Sequence, residues 1–166
     1  MANESLTQQY LHELFEYREG HLYWKIKPSN RVKVKVGDLA GHKNAQNYMV
    51  VTIHGRRYRN HRVIFFMHHG YLPNEIDHID GNTLNNKIQN LREATRSQNM
   101  ANKKRYSSSV SGVKGVSWHK ASKKWYVQVS SNKKHMFQGL FNDLELAELV
   151  AIEARNKYHG QFARHK

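Results

Sequence analysis

Residues 75–103 read EIDHIDGNTLNNKIQNLREATRSQNMANK, and how this stretch is divided decides the fold. The chain around Asp77-His78 reads as a strand, in which neighbours face opposite sides, so the two side chains can serve different roles. Asp80-Gly81-Asn82 is a turn signal; a short second strand or loop follows, and then a helix beginning near Thr95. Asp77 offers a hard oxygen ligand for a divalent cation, and His78 an imidazole whose ordinary pKa suits proton abstraction near neutrality. Asn99 falls in the helix and can offer an amide oxygen to the same cation. Asn90 is placed to pin the loop through side-chain to backbone bonds.

Upstream, Leu6, Tyr10, Leu14 and Tyr17 recur at helical steps within residues 5–18, which predicts a short amphipathic helix. HLYWKI, the alternating RVKVKV of residues 31–36 and NYMVVTIHGRRYR read as strands, with His54-Gly55 as a hairpin turn. NHRVIFFMHHG, residues 60–70, reads as a helix capped by Asn60 and stopped by Gly70. Its His68-His69 pair is expected to be exposed polar surface at the end of an apolar helix. His61 is expected to be structural or to contact phosphate.

Downstream, KKRYSSSVSG has no apolar periodicity and reads as a linker. VKGVSWH, KKWYVQVSS and KHMFQGLF then form three short strands, and a helix over about 143–159 closes the chain, capped by Asn142 and ended by Gly160. The predicted organisation is 1–102, a 103–111 linker, and 112–166. Charge is uneven along it. The chain has 27 Lys and Arg against 13 Asp and Glu, net +14; residues 1–102 are net +5 and residues 103–166 net +9. Such an excess implies a polyanionic partner. The absence of cysteine excludes disulfides and thiolate zinc sites. With no apolar run of membrane-spanning length and no signal-peptide core, the expected location is the cytoplasm, without secretion or membrane attachment.

The spacing of the central motif, twelve residues from His78 to Asn90 and nine more to Asn99, with Leu91 directly after the first Asn, resembles the ββα-metal (HNH) nucleases. It is especially similar to phage and intron-encoded homing endonucleases of the HNN subtype. The resemblance implies His78 as general base, Asn90 as the loop-organising Asn of the catalytic motif, and Asp77 and Asn99 as ligands of one divalent ion, Mg²⁺ or Mn²⁺. The preceding GRRYRNHRVIFFMHHGYLPNEIDHIDGN resembles the stretch such enzymes carry, where an H-R pair, here His61-Arg62, opens a helix behind the site. Arg62, Arg96, Asn102 and Lys103 are candidate contacts to DNA.

Residues 112–163 resemble the ethylene-response-factor (APETALA-type) DNA-binding domain in KGVSWHKASKKWYVQV, FQGLF and HGQFAR. That implies a three-stranded antiparallel sheet lying in a major groove about 12 Å wide, with a helix behind. Val116, Val127, Val129, Leu140, Phe141 and the helix residues Ala147, Val150, Ala151 and Ala154 would be inward. The opposite face would present Lys114, Ser117, His119, Lys124, Gln128, Ser130, His135 and Phe137 to DNA. Several of these positions carry weaker base readers than the Arg and Trp usual in that family, so more phosphate grip and less discrimination is expected. Trp125 is expected to pack under the sheet edge. Lys33 and Lys35, with Lys25, Lys27 and Arg31, either touch DNA from a ribbon or form a solvated edge protected by lysine.

The expected fold class is therefore α+β: a ββα-metal domain with a β-rich N-terminal extension, linked to a small sheet-plus-helix module. The expected function is that of a monomeric, site-specific homing-type DNA endonuclease, acting on double-stranded DNA without an obligatory protein partner and nicking at one site. The alternatives are a non-cutting DNA-binding regulator with a relic motif, and a structure-selective or non-specific nuclease.

Overall fold

A computed structural model describes residues 6–28, 33–104 and 109–165. Arg31 of the lysine ribbon and residues 105–108 of the linker lie outside the described residues. The chain forms two compact units, Met1–Glu93 and Ala94–Lys166.

In the first unit, α1 (Gln8–Leu14) starts at Thr7, whose side chain accepts the Tyr10 amide at 3.1 Å. The helix is shorter than the periodicity predicts: Tyr17 belongs to strand β1 (Phe15–Arg18), which pairs antiparallel with β2 (His21–Trp24). A second antiparallel sheet contains β3 (His42–Lys43), β4 (Met49–Ile53) and β5 (Arg56–Arg59), with His54-Gly55 turning β4 into β5 through two positive φ angles. Over the described residues 33–36 of the expected RVKVKV strand no strand forms: Lys33 and Lys35 lie exposed in irregular chain, while Val34 between them packs against the core. Alternation here reflects one apolar anchor in a loop and not a ladder.

Helix α2 (Asn60–His69) runs through the middle of this unit. Asn60 is not its cap. Arg59 holds that position, and the Asn60 side chain is buried, donating from Nδ2 to the Ala40 carbonyl at 2.9 Å. Gly70 ends the helix in left-handed conformation, φ 75°. Val63, Ile64, Phe65 and Met67 join Leu11, Leu14, Phe15, Leu22, Val51, Ile53, Ile76 and Leu91 in one core. Each such side chain contributes about 1.5–3 kcal/mol by leaving water. Two strands complete the unit, β6 (Glu75–His78) paired with β7 (Leu91–Ala94).

The second unit opens with α3 (Arg96–Ala101), begun by a capping box in which Thr95 and Gln98 satisfy each other's backbone amides. A three-stranded antiparallel sheet follows in the order β10–β9–β8, from β8 (Val116–His119), β9 (Lys124–Ser131) and β10 (Lys134–Phe141). Helix α4 (Leu144–His159) packs Ala147 and Ala151 against Val113, Val116 and Val127. Its cap is Asp143, not Asn142; the carboxylate accepts the Leu146 amide at 2.8 Å. The overall class is a mixed α+β chain. No described helix is long and apolar enough to cross a membrane.

Register corrects two expected side-chain directions. A bulge between His135 and Phe137 inserts one residue into β10, so Phe137 pairs with inward-facing Val129 and packs on the core instead of joining the outer face. Leu140 pairs with Tyr126 and is 46% exposed, not inward. Trp125 packs against the core, as expected for a residue under the sheet edge, with Trp118 edge-on to it.

Two glycines at positive φ test these backbone arguments. A Cβ on Gly41, φ 107°, would stand 2.7 Å from the Val50 carbonyl oxygen, whereas one on Gly55, φ 78°, meets nothing within 4 Å. Gly41→Ala should therefore cost about 3 kcal/mol or more and Gly55→Ala about 1 kcal/mol in denaturant unfolding; equal costs would contradict this backbone geometry.

Candidate active site

Strand β6 delivers Asp77 and His78 side by side, both buried, at 3% and 5% exposure. As strand neighbours they take different partners. Asp77 Oδ2 receives Arg92 from β7, with Nε at 2.9 Å and Nη2 at 2.8 Å. His78 Nε2 lies 2.9 Å from Asn86 Oδ1, which is also buried. Because that amide oxygen can only accept, the imidazole carries its proton on Nε2 and its basic lone pair on Nδ1. Burial lowers the His78 pKa, while Asn86, Asp80 and Asp77 partly offset it.

The loop between β6 and β7 is tied by Asn and Asp side chains. Asn90 Oδ1 accepts the Asp80 amide at 3.0 Å, and its Nδ2 donates to Asp80 Oδ1 at 2.9 Å and to the Asn85 carbonyl at 2.8 Å. Asn85 Nδ2 donates to Asp80 Oδ2 at 2.7 Å, and Asp80 Oδ1 also accepts the Asn82 amide. Burial would raise the Asp80 pKa, but these donated hydrogen bonds outweigh it and the net shift is downward. The knot fixes Asn86, the next residue, opposite His78.

Behind the imidazole stands His61 of α2, edge-on at 4.9 Å between ring centroids, with Tyr48 against both rings. The guanidinium of Arg59 covers the Tyr48 ring at 4.3 Å. Burial, then His78, Arg59 and Arg62, push His61 down to about 3, so it is neutral around pH 7. His61 is thus built into the wall of the site, whereas His68 and His69 are exposed, and His69 stacks on Phe65. Arg62 donates to the Pro73 and Asn74 carbonyls at 3.2 and 3.4 Å, a loop-fastening role where a DNA contact is expected.

Asn99 lies on α3 in the second unit, as does Arg96, which is exposed; Asn102 is the C-cap of that helix and buried at 6% exposure. Among the described residues no three His, Cys, Asp or Glu side chains cluster as a metal cage. A donor set resting on the Asp77 carboxylate fits a hard cation that keeps much of its water, as Mg²⁺ does, and not a closed zinc site.

In the second unit, Ser117 and His119 share one sheet face with Lys124, Gln128, Ser130 and His135. His135 Nδ1 contacts both Gln128 Nε2, at 2.5 Å, and Ser130 Oγ, at 3.0 Å, while His119 Nδ1 contacts Ser122 Oγ at 2.7 Å. Lys114 is half-buried with Nζ on the Ala101 and Lys103 carbonyls. Arg92 and Asn86 escape sequence reasoning. The only signal for Arg92 is its place on a strand facing Asp77, and Asn86 is one of several asparagines in a loop.

Residues 58–101 match the HNH endonuclease family. The chain is 40% identical over 110 residues to Protein 3.8 of Escherichia phage T7, covering 64% of this chain and 88% of that protein. No solved structure matches. The family match ends before the three-stranded sheet, and an ethylene-response-factor assignment receives no support from these relatives.

The buried His61 sets a pH dependence for the first unit. The unfolded chain takes up its proton near pH 6.5 and the native site only near 3, so between these values the unfolded state binds more protons and stability falls as pH falls. Thermal melts should lose up to about 1.4 kcal/mol per pH unit below 6.5, and His61→Gln should flatten that slope. A variant as acid-sensitive as the parent would contradict a buried neutral His61.

Proposed function

The chain belongs to the family of the phage T7 protein and carries an HNH endonuclease domain over residues 58–101, and from that premise we propose that it is a site-specific DNA endonuclease of homing type. It hydrolyses phosphodiester bonds of double-stranded DNA as a monomer, nicking one strand at its single site. The observation that carries this reading is the pair on β6: His78, oriented through Nε2 by Asn86, beside Asp77 held by Arg92.

A divalent ion, Mg²⁺ or Mn²⁺, held by Asp77 and, on the spacing of the motif, Asn99, would supply charge stabilisation at the scissile phosphate and the leaving 3′ oxygen. His78 takes the proton of the attacking water on Nδ1, leaving a 5′-phosphate and a 3′-hydroxyl. Asn86 holds the ring in the tautomer with its proton on Nε2. Arg92 orients Asp77 through its carboxylate oxygen Oδ2. Asn90 acts by organising the loop that carries Asn86. The second unit serves as the holding module, its sheet face and the cations around it gripping the duplex.

Three outcomes test this. His78→Ala should abolish cleavage of source-genome DNA while leaving DNA affinity within a few-fold; undiminished cutting would remove His78 from the chemistry. Asn86→Asp should keep the hydrogen bond and move the acidic limb of the cleavage profile to higher pH, since a carboxylate favours the imidazolium. In the parent that limb should lie below the ordinary His value of 6.5, because burial lowers the His78 pKa. Chelation should stop turnover and Mg²⁺ or Mn²⁺ should restore it; full cleavage in excess chelator would refute the role of the cation.

A further inference from the structure

The second unit concentrates positive charge in one place. Its four acidic residues, Asp143, Glu145, Glu148 and Glu153, all lie on α4 or its cap, and the three on the helix are exposed. Residues 94–142 contain ten Lys and Arg and no Asp or Glu. A groove of about 1070 Å³ is lined by Arg96, Lys103, Lys104, Lys114, Lys133 and Arg155, and among the described residues no acidic one lines it.

Arg155 is the unusual member. It is 2% exposed, donates from Nη1 to the Lys114 carbonyl and from Nε to His165 Nδ1 at 3.3 Å, and has no hydrogen-bond partner for Nη2 among the described residues. A buried guanidinium with an unused donor costs free energy: Lys114, His159 and His165 feel its positive charge as repulsion, and the acid that favours it is Glu148. Lys114 feels the same crowding, since burial and then Arg155 and Arg164 push it down to about 8. An anion in the groove would offset the positive charge of Lys114 and Arg155, which line it with His159.

We propose that this groove is a docking site for the phosphate backbone of the DNA duplex, with Arg155 and Lys114 at its floor and Lys103, Lys104, Lys133 and Arg96 along its walls. The volume exceeds what one phosphate ion fills, and the cations are spread along it, which suits a run of phosphodiesters. The grip is independent of sequence, because Lys and Arg directed at phosphate carry no base information. It rests on the reading of the chain as a DNA enzyme, and it shares Ser117, Gln128 and Ser130 of the outer sheet face but turns them toward backbone phosphate and not toward base edges.

The test uses the full chain carrying His78→Ala, so that DNA is bound and not cut, and measures affinity for a random-sequence duplex from about 50 to 200 mM salt. Lys103→Ala with Lys104→Ala should reduce the slope of log affinity against log salt by about 0.9 for each phosphate that is no longer neutralised. Lys120→Ala with Lys123→Ala, exposed lysines of this unit outside the groove, should leave the slope unchanged. Equal effects of the two pairs would overturn the groove. Arg155→Met should lower the slope without lowering the melting temperature, since it removes an under-satisfied buried cation; a lowered melting temperature with an unaltered slope would reduce Arg155 to a structural residue. Should that variant not fold, the lysine pairs still decide. Cleavage by the parent chain, measured in parallel, keeps the two readings apart: cutting without groove dependence overturns the groove alone, and groove dependence without cutting overturns the endonuclease alone.

Discussion

Burying an ionisable side chain demands a fixed partner, and the first unit buries two in succession, Asp77 and His78 on β6. Water cannot serve them freely at that depth, so each is tied to a residue across the hairpin: Arg92 on the paired strand and Asn86 in the intervening loop. Most of the local structure follows from meeting these two demands. The loop can offer Asn86 only if its own path is fixed, which the hydrogen bonds among Asp80, Asn85 and Asn90 accomplish. The strand can hold both side chains only if its other contacts are settled, and Ile76 and Leu91 lock it into the core beneath.

Helix α2 completes the enclosure from behind. Its apolar residues anchor it in the core, while Asn60 reaches back to Ala40 and His61 presents its ring edge to His78. A charged imidazolium at position 61 would oppose protonation of His78. Burial keeps His61 neutral and removes that opposition.

The second unit solves a different electrostatic problem. Its sheet and helix close a small core, Val116 and Val127 against Ala147 and Ala151 with Trp125 and Phe137 packed on it, and that leaves the remaining surface available for charge. Acids are confined to α4, and cations gather from α3, the segment before β8, the β9–β10 turn and the buried side of α4. Segregated charge of this kind costs stability within the fold and strengthens attachment to a polyanion.

Spacing and residue type were enough to identify the Asp77-His78 pair, the Asn90 loop, the helix over 60–69, the capped helix after Thr95 and the three strands with their closing helix. These depend on local rules: alternation, turn residues, caps and helical steps, all carried by neighbours in the chain. What local rules could not supply is which atoms meet. The choice of Arg59 and Asp143 over adjacent asparagines as caps, the bulge that turns Phe137 inward, Asn86 as the partner of His78, and Arg92 as the partner of Asp77 were decided by tertiary packing. For Asn86 and Arg92 the physical reason is common. A side chain that can satisfy several partners takes the one whose pairing leaves the fewest buried groups unmet, and that comparison exists only once the distant segments have come together.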